Sequence, residues 1–310
     1  LKINFINRKS ALFRIIQIAV LLAIFYFLGR NLISNWRELA SYRWEPDIAF
    51  VVISLLLTVG GGLLVALGWS FILRSMGQTV PHRRVLRIYY LSELAKYLPG
   101  KIWTAVGRVF MLEKEGVPKV VTIASVGTML IILTVSGVLV VGLTLPLWPI
   151  REAGGELKFL YLLILLPVGL ILLHPRIFEP LLNWFLRKFE HITLPVRLKY
   201  GNILLLIAFW CGLWLIKGGA TFYLLRAVYR GPLPTCSWLI FPGVMAVSWV
   251  VGTLSPFTPA GLGIAELSLV VLLGSLFKMD AGFATAFAIL SRVWAVITEL
   301  ICVALTCRLK

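Results

Sequence analysis

The sequence is short of charge. Only 14% of its 310 residues are Asp, Glu, Lys or Arg, while 60% are apolar and the mean hydropathy is +0.94. A soluble domain is about one quarter charged; a chain this poor in charge cannot cover its own core with a polar surface, so a water-soluble globular fold is excluded. Acidic residues are scarcest, with 13 Asp+Glu against 30 Lys+Arg. Only Asp47 and Asp280 are aspartates, and they lie far apart. An intramembrane phosphatase, glycosyltransferase or protease needs clustered carboxylates or a nucleophile with a positioned base, and neither pattern occurs. His82, His174 and His191 fall in separate loops, none near a plausible nucleophile. Cys211, Cys236, Cys302 and Cys307 include no C-x-x-C pair, so the sequence implies no disulfide framework and no metal site. A Gly-rich phosphate loop is also lacking, and no cofactor is expected. No cleavable signal peptide is expected, because the first apolar run lacks a small-residue cleavage site and more runs follow.

What the chain has is long uncharged runs. Crossing ~30 Å of hydrocarbon takes roughly 20 apolar residues in a helix. Runs that meet or approach this lie at about 15–33, 48–73, 120–150 (ended near Pro146), 159–173, 200–225 (interrupted by Lys217), 238–254, 263–277 and 281–305. The expectation is an all-α polytopic membrane protein of about eight transmembrane helices. It forms a single integral membrane domain over 1–310, with candidate pseudo-repeat halves at 1–150 and 151–310. The segment 176–191, with apolar and basic faces, reads as an interfacial helix.

The excess of +17 would suggest nucleic acid in a soluble protein; in a membrane protein it marks cytoplasmic loops. Counted over alternate loops, Lys and Arg divide 20 to 8, with Lys217 and Arg292 inside spans. This bias predicts an inner (cytoplasmic) membrane protein with both termini cytoplasmic, and no nucleic-acid partner.

Two stretches break the pattern. LSELAKYLPGKIWTAVGRVFML, from Leu91 to Leu112, is apolar yet carries Glu93, Lys96, Lys101 and Arg108, with Pro99-Gly100 at its middle. Proline removes a helical hydrogen bond and glycine permits a tight turn, which predicts two short helices joined by a break, re-entrant or interfacial. TLSPFTPAGLGIAELSL, from Thr253 to Leu269, holds Pro256, Pro259, Gly261 and Gly263 before a lone carboxylate, Glu266. One break in each half is the sequence pattern of a midplane binding site in transporters. The amides freed after Gly261 would face a cavity and favour an anionic group. The alternative is that Glu266 caps the helix start and the breaks are tight turns.

The pattern Y-L-P-G-K-I-W-x-x-x-G-R, from Tyr97 to Arg108, resembles the first motif of the lysylphosphatidylglycerol synthase transmembrane-region family, flippase-like proteins related to the multiple peptide resistance factor. T-P-A-G-L-G-I-A-E, from Thr258 to Glu266, resembles its second. The resemblance implies a helical fold with re-entrant segments and lipid translocation. The chain has Lys101-Ile102-Trp103 where other members have Gly-Gly-Asp, a version associated with polysaccharide and lipid-glycan contexts, which argues against an aminoacyl-phosphatidylglycerol substrate. It also ends at Lys310, leaving no room for a soluble aminoacyl-transferase domain.

Charges inside hydrocarbon cost ~3 kcal/mol each and face a cavity or a partner. Lys217, Glu266, Arg292 and Glu299 are the candidate intramembrane network; Arg292 and Glu299, two turns apart, share a face. The candidate substrate-binding residues are Lys96, Lys101, Trp103, Arg108, Gly261, Gly263, Glu266 and Arg292, with Arg108 and Lys101 foremost for phosphate. Pro99, Gly100, Pro256 and Pro259 are the candidate hinges. The function expected is a flippase-like transporter of an anionic lipid or lipid-linked glycan. The alternatives are an accessory protein of envelope synthesis, alone or as a homo-oligomer with a synthesis partner, and an intramembrane lipid-modifying enzyme.

Overall fold

The computed structural model describes Tyr26, Ile33 and residues 45–97, 103–149, 200–234, 236–254, 261 and 263–308. The expected spans at 15–33 and 159–173, the segment 176–191, and Pro99, Gly100, Lys101, Pro256 and Pro259 lie outside the described residues, Tyr26 and Ile33 apart. Eight α-helices and no strand occur among the described residues: α1 Ile48–Ser75, α2 His82–Glu93, α3 Trp103–Glu113, α4 Lys119–Thr144, α5 Tyr200–Val228, α6 Ser237–Leu254, α7 Ile264–Phe277 and α8 Ala281–Cys307. The chain is an all-α polytopic membrane protein. Among the described residues, four stretches are long and apolar enough to cross a bilayer: Ile48–Ser75, Lys119–Leu147, Gly201–Val228 and Ala281–Cys307. Helices α6 and α7 are apolar but shorter; the 14 residues of α7 rise only ~21 Å.

Local chemistry explains several boundaries. Both aspartates are helix caps. The Asp47 carboxylate accepts from the amides of Ala49 and Phe50 at the start of α1, and Asp280 accepts from Gly282 and Phe283 at the start of α8. A cap satisfies amides that would otherwise be orphaned, so the two aspartates are structural. Lys217 does not interrupt α5, which runs unbroken to Val228. The single span expected over 200–225 is one helix with Lys217 inside it, because a lysine is a good helix former and this one has a cavity to face.

Helix α5 is the hub, packed against α1, α6 and α4; α6 also packs on α4 and α7, and α7 on α8. Helix α8 returns to α1 and α2, and α3 packs between α2 and α4. One apolar core, built on Trp69, Ile72, Ile132 and Trp210, joins α1, α2, α4 and α5. A second, built on Leu225, Phe241, Leu273 and Phe287, joins α5 to α8. Side-chain hydrogen bonds supplement packing between the helices, where apolar lipid gives no hydrophobic drive to associate. Ser54 Oγ donates to the Ala220 carbonyl at 2.8 Å, and Trp69 Nε1 donates to Ser125 Oγ at 3.1 Å. Gly218 receives Pro242 of α6, since any Cβ at 218 would run into the proline backbone and ring.

Candidate functional site

Between the two cores lies a cavity of about 330 Å³ whose wall draws on α1, α2, α4, α5, α6 and α8. Most of the wall is apolar and aromatic, as expected of a small-molecule site. Five charged side chains interrupt it: Glu93, Lys96, Lys217, Arg292 and Glu299. Helical spacing assembles them. On α5, Trp210, Trp214 and Lys217 fall at i, i+4 and i+7; on α8, Arg292, Ala295 and Glu299 fall at i, i+3 and i+7. Each set lies on one helix face.

The charges sort into two ion-pair groups and one remaining cation. At one end, Lys96 Nζ is 2.8 Å from the Glu299 carboxylate and 3.5 Å from that of Glu93. Lys96 belongs to a 3₁₀ turn, Leu94–Tyr97, that continues α2 toward the Pro-Gly break. At the other end, Arg292 Nη1 lies 3.5 Å from Glu266 Oε1. The second Glu266 oxygen, Oε2, accepts the Gly263 amide at 2.7 Å. Gly263 has φ of +82°, a conformation costly to any residue with a side chain, so the glycine permits the turn from which Glu266 folds back. Glu266 thus holds the start of α7 and one face of Arg292 together. The capping alternative and the ion pair both describe it.

Arg108 does not line the cavity. It is 3% exposed, donates through Nη2 to Glu93 at 2.5 Å and through Nε to Ser92 Oγ at 3.3 Å. Its guanidinium lies over the rings of Trp69 and Tyr89, 4.8 and 4.5 Å from their centroids. This revises its role from headgroup contact to anchor: a guanidinium so enclosed has spent its fork and its faces on protein. Trp103 is 43% exposed on the outer side of α3 and also lies off the cavity wall. Gly261 and Gly263 shape the turn before α7. Of the substrate-binding candidates, Lys96 and Arg292 line the cavity, and Glu266 stands behind Arg292.

Nor do Lys217, Glu266, Arg292 and Glu299 form one network. Seven residues of helix separate Arg292 from Glu299 by ~10 Å along the axis, so each takes a different partner. Lys217 makes no ion pair with a carboxylate among the described residues. Its Nζ lies 5.0 Å from the centroid of the Trp214 ring. Lys217 is exposed, its side chain opening onto the cavity.

Three N–H donors on this wall have no acceptor: Arg292 Nη2, Trp210 Nε1 and Trp294 Nε1. Trp210 is fully buried. An unmet buried donor costs about 1–3 kcal/mol; on the same wall Glu299 Oε1 accepts no hydrogen bond, so three donors and one acceptor lack hydrogen-bond partners there. Among the described residues no cluster of His, Cys, Asp and Glu could hold a metal ion.

The tryptophans are the part that sequence reading missed. Trp210, Trp214, Trp249 and Trp294 line the cavity, and Trp214 and Trp249 meet edge to face at 5.7 Å. Stepping by helical turns from Lys217 would have found Trp210 and Trp214.

A family model described as lysylphosphatidylglycerol synthase TM region matches residues 14–302. A comparison with curated proteins finds no significant match.

Proposed function

The chain belongs to the lysylphosphatidylglycerol synthase TM region family, and we propose that it moves the anionic headgroup of a membrane lipid or lipid-linked glycan across the cytoplasmic membrane. One observation carries the reading: Arg292 Nη2, Trp210 Nε1 and Trp294 Nε1 meet around one cavity without an acceptor. Phosphate oxygens match such donors, and arginine matches them best. Lys217 on the same wall adds a cation that needs a counter-charge.

The headgroup enters between the helices while its tails stay in the lipid, so only the polar part crosses the cavity. The two ion-pair groups border the path at opposite ends of the α8 face. Exchange of Arg292 from Glu266 to the headgroup, and back, supplies a way to capture and release. Both termini are cytoplasmic in this reading, as the 20-to-8 loop bias in Lys and Arg supports.

The test is transfer by purified protein in vesicles. Proteoliposomes of the wild-type chain should expose inner-leaflet acyl-labelled NBD-phosphatidylglycerol to external dithionite faster than protein-free vesicles. Transfer no faster than in empty vesicles, together with a stoichiometric partner on purification from membranes, would assign the chain an accessory role instead.

A further inference from the structure

We propose that Lys217 sets the charge selectivity of the cavity, admitting headgroups of net negative charge and rejecting aminoacylated ones such as the lysyl ester of phosphatidylglycerol. This rests on the lipid reading above and narrows its substrate class. The family's description names a lipid whose lysine ester carries two ammonium groups against one phosphate, a net cation. The cavity is built against such a charge.

Its charge balance makes the first argument. The lining charges and their partners comprise four cations, Lys96, Arg108, Lys217 and Arg292, and three carboxylates, Glu93, Glu266 and Glu299. Glu93 is held by Arg108 and Lys96, Glu299 by Lys96, and Glu266 by Arg292 and the Gly263 amide. Among the described residues each of these carboxylates is already in an ion pair, so an incoming ammonium competes with a lysine or arginine for it, even at Glu299 Oε1, which accepts no hydrogen bond. Among the described residues the cation in excess is Lys217, which forms no ion pair with a carboxylate there and lines the same wall as Lys96 and Arg292.

The aromatic wall makes the second. Indole faces attract cations, and a cavity with four tryptophans would otherwise suit a cationic headgroup. Lys217 removes that option from within, because its own ammonium lies over the Trp214 ring. The wall then offers a headgroup N–H donors and positive charge. An incoming lysyl group meets like charge; a phosphate with a glycerol or sugar meets donors.

Lys217 is therefore a specificity-determining residue, and charge reversal tests it. Short-chain dioctanoyl-phosphatidylglycerol and its lysyl ester are titrated against the full chain in detergent, with binding read by native mass spectrometry and folding by thermal melting. The wild type should bind phosphatidylglycerol at least tenfold tighter than the lysyl ester, and Lys217→Arg should preserve that ratio. Lys217→Glu should lower it at least tenfold, and Lys217→Met should fall between. Equal affinities in the wild type, or a ratio unmoved in Lys217→Glu, overturn the selectivity while leaving lipid binding intact. Binding of neither lipid to the wild type overturns the lipid reading itself, and the selectivity with it.

Discussion

Lys96 Nζ lies 2.8 Å from the Glu299 carboxylate, tying the 3₁₀ turn before the Pro-Gly break to the last helix. The contact borders the cavity and joins the turn after α2 to α8. A fully buried ion pair costs about 3–5 kcal/mol to break from one side. Lys96 keeps partial exposure while Glu299 is nearly enclosed, so a smaller penalty applies. Lys96→Met should destabilise the protein by about 2 kcal/mol, because it strands the more buried partner. Combining it with Glu299→Gln should recover part of that loss. Thermal melting of the single and double variants in one detergent measures both effects.

Arg108 gives a different prediction from the one its motif invites. It holds Glu93 in place from behind the cavity wall, so its removal should damage the fold before it damages binding. Arg108→Ala should cost about 3–5 kcal/mol by leaving the carboxylate without its main partner and emptying the space between Trp69 and Tyr89. Arg108→Lys should recover only part, since an ammonium lacks the planar fork and stacks less well. Yield of monodisperse protein and melting temperature check this. Folded Arg108→Ala that has lost only lipid binding would return Arg108 to the headgroup.

Gly218 and Pro242 predict a steric effect with no electrostatic part. Gly218→Leu should force α5 and α6 apart and cost on the order of 1–3 kcal/mol, the usual range for overpacking. Replacement of the neighbouring Gly219, where a Cβ would meet nothing within 4 Å, should cost less than half as much. Melting of the two leucine variants side by side measures the difference.

Much of the fold was readable because it depends on composition over long windows. Uncharged runs located α1, α4, α6, α7 and α8 to within a few residues, and the Pro-Gly pair separated α2 from α3. Position along the chain was harder to turn into contact. Arg108 and Lys96 sit in one broken stretch, Leu91 to Leu112, and local chemistry treats both as exposed cytoplasmic cations. Tertiary packing buries one between two aromatic rings and sends the other across to Glu299. Arg292 and Glu299 share a helix face, but partners from α7 and the turn after α2 divide them. Sequence spacing fixes direction from a helix, not the identity of the neighbour. The tryptophans escaped notice for a related reason: an aromatic within an apolar span looks like core until the packed helices place it on a cavity wall.

The central claim is that Arg292 and the unmet indole donors hold a lipid anion in transit. Its most direct test is the rate of NBD-phosphatidylglycerol transfer by Arg292→Gln in proteoliposomes, beside wild type at equal reconstituted amount and verified folding. Glutamine keeps hydrogen-bonding capacity but removes the charge and the fork, so transfer should fall at least tenfold. Folded Arg292→Gln that transfers lipid at the wild-type rate would contradict the account.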